Sequence, residues 1–264
     1  MMQASPKTYR LSWDGYDLEF GHRTGIMGVV NVTPDSFSDG GKFLSLESAI
    51  TQGRKLAADG ADILDIGGES TRPFAEPVPV DVEIERVIPV IEQLAAEISI
   101  PISIDTMKAE VARRAIRAGA SIINDISALR FDPEIGAVAA EFGTPVVLMH
   151  MLGSPKTMQQ SPSYTDLIGE ISDFLSAAIV RAQNQGISKS NIIIDPGIGF
   201  GKTVSHNLLL IRQIQAFAAL DAPILVGPSR KSFIRNLLKD EHSNDIPPDK
   251  PIVETGTQAA VAAA

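Results

Sequence analysis

The stretch Asn31-Val32-Thr33-Pro34-Asp35-Ser36-Phe37-Ser38-Asp39-Gly40-Gly41 joins a phenylalanine to side chains that bind phosphate or metal well. It follows the short apolar run 26–30 and is too rich in Pro, Gly, Ser and Asp to be anything but a loop. A plain strand-to-helix connector needs neither the ring nor those oxygens, and is usually shorter. Further along, apolar runs end again and again in polar side chains. Asn31 closes the first, Glu69 follows the second, Asp105 closes the third, and Asn124 with Asp125 closes the fourth. His150 closes the fifth, Asp195 the sixth, and Ser229, Arg230 and Lys231 follow the seventh. The carboxylates could equally be caps or ion-pair partners, so their common placement at run ends is what makes them candidates.

Two nucleotide-binding patterns are excluded. Pro196-Gly197-Ile198-Gly199-Phe200-Gly201-Lys202-Thr203 nearly spells a P-loop, but proline occupies the position of its first glycine. The same glycines lie too close to Asp195 for a dinucleotide fingerprint. The histidines form no cluster, and hydrogen bonding suits His150 better than metal ligation.

The elements that must position these residues follow a strand-then-helix beat. Strands are predicted near 26–31, 62–67, 101–105, 121–125, 145–150, 191–195 and 223–227. Helices are predicted near 45–59, 81–98, 108–118, 133–142, 164–186, 204–219 and 230–239. Before them, alternating Tyr9, Leu11, Trp13 and Tyr16, Leu18, Phe20 flank Asp14-Gly15, which predicts a hairpin acting as a lid over one end of the fold. Strict alternation implies a parallel sheet buried on both faces. Polar ends on every strand favour a (β/α)8 TIM barrel, which spreads its site around one rim, over an open sheet with one switch point. The whole of 1–264 reads as a single domain. Residues 240–251 read as a mobile excursion and 257–264 as a truncated helix, leaving the eighth strand unaccounted for and expected beyond Ala264.

Composition limits the function. With 264 residues, 44% hydrophobic and 21% charged, the chain is globular. A formal charge of -9 argues against general nucleic-acid or anionic-membrane binding. An anionic substrate would need local positive charge or a metal. There is no cysteine, hence no disulfide and no thiolate nucleophile. Neither a signal-peptide pattern nor an apolar run of transmembrane length is present, so a soluble cytoplasmic protein is expected.

Seven motifs in order at the strand ends resemble the dihydropteroate synthase family. They are the stretch 31–41, Asp65-Ile-Gly-Gly-Glu-Ser-Thr-Arg-Pro73, Ile104-Asp-Thr106, Ile123-Asn-Asp125, Leu148-Met-His-Met151, Asp195-Pro-Gly-Ile-Gly-Phe-Gly-Lys202 and Ser229-Arg-Lys-Ser-Phe233. The resemblance implies a pterin-binding (β/α)8 barrel that joins 6-hydroxymethyl-7,8-dihydropterin diphosphate to 4-aminobenzoate with Mg2+, releasing pyrophosphate. It also implies a homodimer, with no nucleic-acid or membrane partner.

Residue types fit that chemistry. Asp195, closing the dry strand Ile192-Ile-Ile194, suits the adjacent N–H donors of a pterin edge. Asn124 can donate and accept at once, Lys231 can reach the ring carbonyl, and Met149 offers an adaptable apolar face. Asp105, a further pterin-binding candidate and with Lys231 a catalytic one, suits steadying of positive charge as pyrophosphate departs. The resemblance makes Asn31 the metal ligand and has Thr71 and Arg72 hold or cover the substrate. The helix start after Ser229, with Ser232, suits the aminobenzoate carboxylate, and Phe37, Pro73 and Phe200 could wall its ring. Two departures stand out: Arg235 replaces a usual glycine, and Leu152 is unusual. The family's closing strand with Arg, His and Asp also has no match here. The competing activities are methyl transfer from methyltetrahydrofolate to a corrinoid protein and pterin binding without catalysis. The long loops 31–41 and 69–73 favour the synthase.

Overall fold

Alternating apolar residues on both sides of Asp14-Gly15 fold the start of the chain into a hairpin. Strands β1 (Tyr9–Trp13) and β2 (Tyr16–Phe20) pair antiparallel with Trp13 opposite Tyr16. Asp14 and Gly15 both take positive φ, 40° and 81°, the geometry that matches the twist of the flanking strands. The computed structural model describes residues 7–33, 42–71, 75–239 and 246–264.

Six parallel strands follow in sequential order: β3 (Met27–Asn31), β4 (Ile63–Gly67), β5 (Ile102–Asp105), β6 (Ile122–Asp125), β7 (Val146–Met149) and β8 (Ile192–Asp195). Helices α1 (Lys42–Ala58), α2 (Val80–Ala95), α3 (Ala109–Arg117), α4 (Glu134–Phe142) and α5 (Leu167–Asn184) alternate with them. The chain continues with α6 (Val204–Arg212), α7 (Ser232–Leu238) and α8 (Pro251–Ala263). Such strands need apolar residues on both faces. Outward-facing Leu64, Ile66, Ile104, Ile123, Val146 and Leu148 join Val87, Val90, Ile91 and Leu94 of α2 in the main core. Each fully buried side chain of this size contributes about 1.5–3 kcal/mol relative to exposure. Helix α4 ends as its sequence suggests, with Gly143 in the left-handed region at φ 64°.

The hairpin is the expected lid. Leu11 and Trp13 pack on Ile63, Ile122, Val147 and Ile193, which lie in the first halves of their strands. It therefore closes the N-terminal mouth of the barrel and leaves the strands' C-terminal ends open.

The structure alters several sequence expectations. The seventh strand is reduced to one parallel bridge between Ile194 and Ile224. The Ile194 N–H donates to Pro223 O at 2.9 Å, and the Leu225 N–H donates to Ile194 O at 2.8 Å. Among the described residues no strand joins that segment to β3, so the barrel is open there and Val29 is 47% exposed. The helix expected over 204–219 stops at Arg212 and tightens into a 3-10 helix, Ile214–Leu220. Its i, i+3 spacing keeps Ile214 and Phe217 buried. Helix α7 starts at Ser232 rather than 230, because Arg230 takes φ 54° in the turn before it. Helix α8 begins at Pro251, so the final helix is longer than the 257–264 segment.

Candidate active site

The parallel strands bring their polar ends to one rim. Asp105, the last residue of β5, is register-paired with Gly67 on β4 and with Asn124 on β6. Asn124 is buried and donates from Nδ2 to Asp65 Oδ2 at 3.0 Å. Across the barrel Asp195 closes β8, is also buried, and its Oδ1 accepts from the Gly197 N–H at 2.6 Å. Gly197 has φ 71°, and a Cβ there would fall 1.9 Å from His150 O. Only glycine lets the loop turn this tightly over the end of β7.

Lys231 reaches in from the loop before α7. Its Nζ lies 4.3 Å from the centroid of the Phe200 ring and also donates to Ile198 O. Burial lowers its ammonium to about 8, opposed by the nearby Asp195 and Asp105 carboxylates. Burial raises the Asp195 carboxyl, while the charge of Lys231, the Gly197 N–H and Lys202 pull it down. Asp105 is raised well above the ordinary carboxylate range, first by burial and then by the charges of Asp65, Glu83, Asp125 and Glu69. Asp105, Asp195 and Lys231 thus share one electrostatic neighbourhood, as the sequence predicts.

The apolar wall is broader than the sequence suggested. Met149 packs with buried Ile126, Met151 and Met158, and half-buried Met107 and Phe200 lean on them. Thioethers of this flexibility conform to a flat ring. Met107, Ile126 and Met158 come from separate loops and carry no local pattern that could have singled them out.

Lys202, which closes a family motif but drew no role from the sequence, turns inward. It is 3% exposed and bonds His150 Nδ1 at 3.0 Å and Phe200 O at 2.9 Å. Burial lowers its ammonium to about 7, with Asp195 opposing. His150 is held well below its ordinary value by burial and by Lys202 and Arg130, so its ring stays neutral and can accept at Nδ1. Its ring also stands edge-on to Phe174, with centroids 4.8 Å apart. His150 is therefore the hydrogen-bonded residue the sequence favoured, and it supports the Phe200 loop. Gln159 and Tyr164 fix the same loop by donating to Gly199 O and Gly201 O, each at 2.8 Å.

A second network anchors the loop after β4. Lys108 pairs with both Glu69 and the fully buried Glu83. Thr106 Oγ1 donates to Glu83 Oε1 at 2.7 Å, and Glu69 Oε2 accepts from the Val78 N–H at 3.0 Å. Glu69 and Thr106 were visible as motif residues, but their lysine partner was not.

The remaining candidates lie at the edge. Asn31 is exposed at the end of β3, Thr71 is half-buried after β4, and Ser232 is exposed as the first residue of α7. Phe37, Arg72 and Pro73 fall outside the described residues. Among the described residues no three His, Asp or Glu side chains converge as a metal cage. The amide oxygen of Asn31 alone suits a hard cation that brings its other oxygens with it, as Mg2+ on a diphosphate does.

The sequence pattern of the family described as "Pterin binding enzyme" matches residues 27–264. A dihydropteroate synthase of Synechocystis sp. is 54% identical over 220 residues, covering 83% of this chain and 76% of that protein. A solved Xanthomonas albilineans dihydropteroate synthase with 4-aminobenzoic acid has a TM-score of 0.87 at 44% identity, covering 97% of this chain and 89% of that one. Another from the same organism, in complex with 7,8-dihydropteroate, has a TM-score of 0.83 at 42% identity, covering 96% and 88%. A parallel barrel with a polar rim above an apolar, methionine-lined wall defines the class as a pterin-binding enzyme. Within that class, the chain belongs to the dihydropteroate synthase family.

Proposed function

We propose that the chain condenses 6-hydroxymethyl-7,8-dihydropterin diphosphate with 4-aminobenzoate, giving 7,8-dihydropteroate and pyrophosphate. The observation that carries this reading is the convergence of Asp105, Asn124, Asp195 and Lys231 beside the methionine wall, at the open end of the barrel. Relatives solved with 4-aminobenzoic acid and with 7,8-dihydropteroate support the two ends of the reaction.

In this reading the pterin lies flat against Met149 and its neighbours. Asp195 accepts the paired N–H groups of the aminopyrimidinone, because its carboxylate has lone pairs left after Gly197 takes one. Lys231 donates to the ring carbonyl, and Asn124 meets the nitrogen edge. The aromatic amine attacks the exocyclic methylene as its bond to the diphosphate oxygen breaks, and the amine then loses its proton. Positive charge spreads onto the pterin as that bond lengthens, and Asp105 steadies it at close range without bonding covalently. Phe200 walls the aminobenzoate ring and Ser232 meets its carboxylate, with Phe37 and Pro73 as further walls. Asn31 would hold Mg2+ together with diphosphate oxygens and water, while Thr71 and Arg72 cover the substrate. The metal would supply charge neutralisation for the leaving pyrophosphate in a protein of formal charge -9.

A coupled assay for pyrophosphate, with and without 4-aminobenzoate, tests the proposal. Release that depends on the amine supports it. Pterin binding with no amine-dependent release would leave only a binding protein.

A further inference from the structure

Asp65 lies one layer below the rim, inside β4, and the proposed reaction gives it no role. Its neighbours Leu64 and Ile66 are fully buried against the helices, so alternation turns Asp65 into the barrel. It is 4% exposed and forms no ion pair among the described residues. Its one hydrogen bond of full geometry is that which Oδ2 accepts from Asn124 Nδ2, while the Ser103 hydroxyl is close enough to hold the carboxyl down. Ser103, register-paired with Asp65 on β5, is also buried, and no other side chain completes its Oγ among the described residues. A buried carboxyl group with no ion pair costs folding free energy that an apolar side chain would not.

We infer that Asp65 is a positioning residue that sets which way the Asn124 amide faces the pterin. The inference rests on the proposed function, since it assumes that Asn124 meets the ring edge. The two ends of an asparagine amide are nearly identical in shape and opposite in hydrogen-bonding sense. The ionised carboxylate only accepts, so a bond to Asp65 Oδ2 is open only to the nitrogen end and fixes the flip. One N–H and the oxygen of Asn124 remain for the ligand, as one donor and one acceptor in a fixed order. A pterin edge alternates donors and acceptors, so reversal of that order sets donor against donor. Asp65 acts through Asn124 in this account and need not touch the pterin.

Calorimetric titration of the full chain with 6-hydroxymethyl-7,8-dihydropterin tests this through a double-mutant cycle. Asp65→Leu should weaken binding about tenfold or more in the wild-type background, and by less than about twofold when Asn124 is already alanine. Asp65→Asn, whose amide can turn either its oxygen or its N–H toward Asn124, no longer fixes the flip and should lie between wild type and Asp65→Leu. Asp65→Ala replaces Asp65→Leu if the latter does not fold. Equal losses in both backgrounds would overturn the inference, as would a loss of less than about twofold in Asp65→Leu with Asn124 present. Failure of both Asp65→Leu and Asp65→Ala to fold would overturn it too, by making Asp65 a folding residue. Wild-type protein that does not bind the pterin would instead remove the proposed function on which the inference stands.

Discussion

The Lys231 ammonium lies over the face of Phe200, 4.3 Å from the ring centroid. One cation is thus in contact with both the proposed pterin pocket and the proposed aminobenzoate wall. Desolvated contacts of this kind contribute about 2 kcal/mol. Lys231→Met should therefore weaken both ligands, each by about tenfold or more. A loss confined to one ligand in calorimetry would show that Lys231 does not join the two sites.

The same residue predicts a pH dependence. Burial lowers Lys231 to about 8, so its proton is lost within the accessible range. Below that value the ammonium donates to the pterin carbonyl, and above it the donor charge disappears. Pterin affinity should thus fall as pH rises from 8 to 9.5, by at most tenfold per unit. Lys231→Met should not show this fall. An identical alkaline decline in the variant would assign it to another group.

Asp195→Asn should abolish pterin binding with the fold intact. The amide presents N–H where an acceptor is needed, which leaves buried donors unpaired at about 1–3 kcal/mol each. Calorimetry that finds the variant within twofold of wild type would reject the proposed edge pairing. Asp105→Asn should instead spare ground-state binding and slow the chemical step, because its proposed role begins only as charge develops. Single-turnover rates set against pterin affinity separate the two, and a larger effect on affinity would reverse the roles.

Stability should also report on Asp65. Burial raises its carboxyl from 3.8 to about 6, against the pull of Ser103 and Asn124. Between those values the unfolded chain loses a proton that the folded chain keeps. The contribution of Asp65 to wild-type stability therefore falls as pH rises through that window, by about 3 kcal/mol, and stays lower above it. Asp65→Asn cannot ionise and should escape that loss. In urea titrations it should match wild type near pH 4 and exceed it near pH 8. A variant less stable than wild type at pH 8 but not at pH 4 would contradict the sign.

Much of the site was legible because parallel strands must end at one rim. Asp105, Asn124, Met149 and Asp195 needed only the strand ends to be placed correctly. Asp65 was hidden inside a strand, where its signal was a single acid in an otherwise apolar run. Lys202 closes a family motif, but neither that motif nor the failed P-loop match gave it a role. Residues 223–227 have the composition of a strand, and nothing in that composition shows that the ladder shortens to a single bridge. Among the described residues that segment pairs only with β8. The Ile214–Leu220 turn keeps the apolar face of a helix, which is why spacing alone could not separate it from α6.

The most direct test of the central claim is a count of products by mass spectrometry. The full chain is supplied with 6-hydroxymethyl-7,8-dihydropterin diphosphate, 4-aminobenzoate and Mg2+. One 7,8-dihydropteroate should form for each pyrophosphate released, with both lost together in Asp195→Asn. Pyrophosphate released without dihydropteroate, or dihydropteroate formed undiminished by Asp195→Asn, would contradict it.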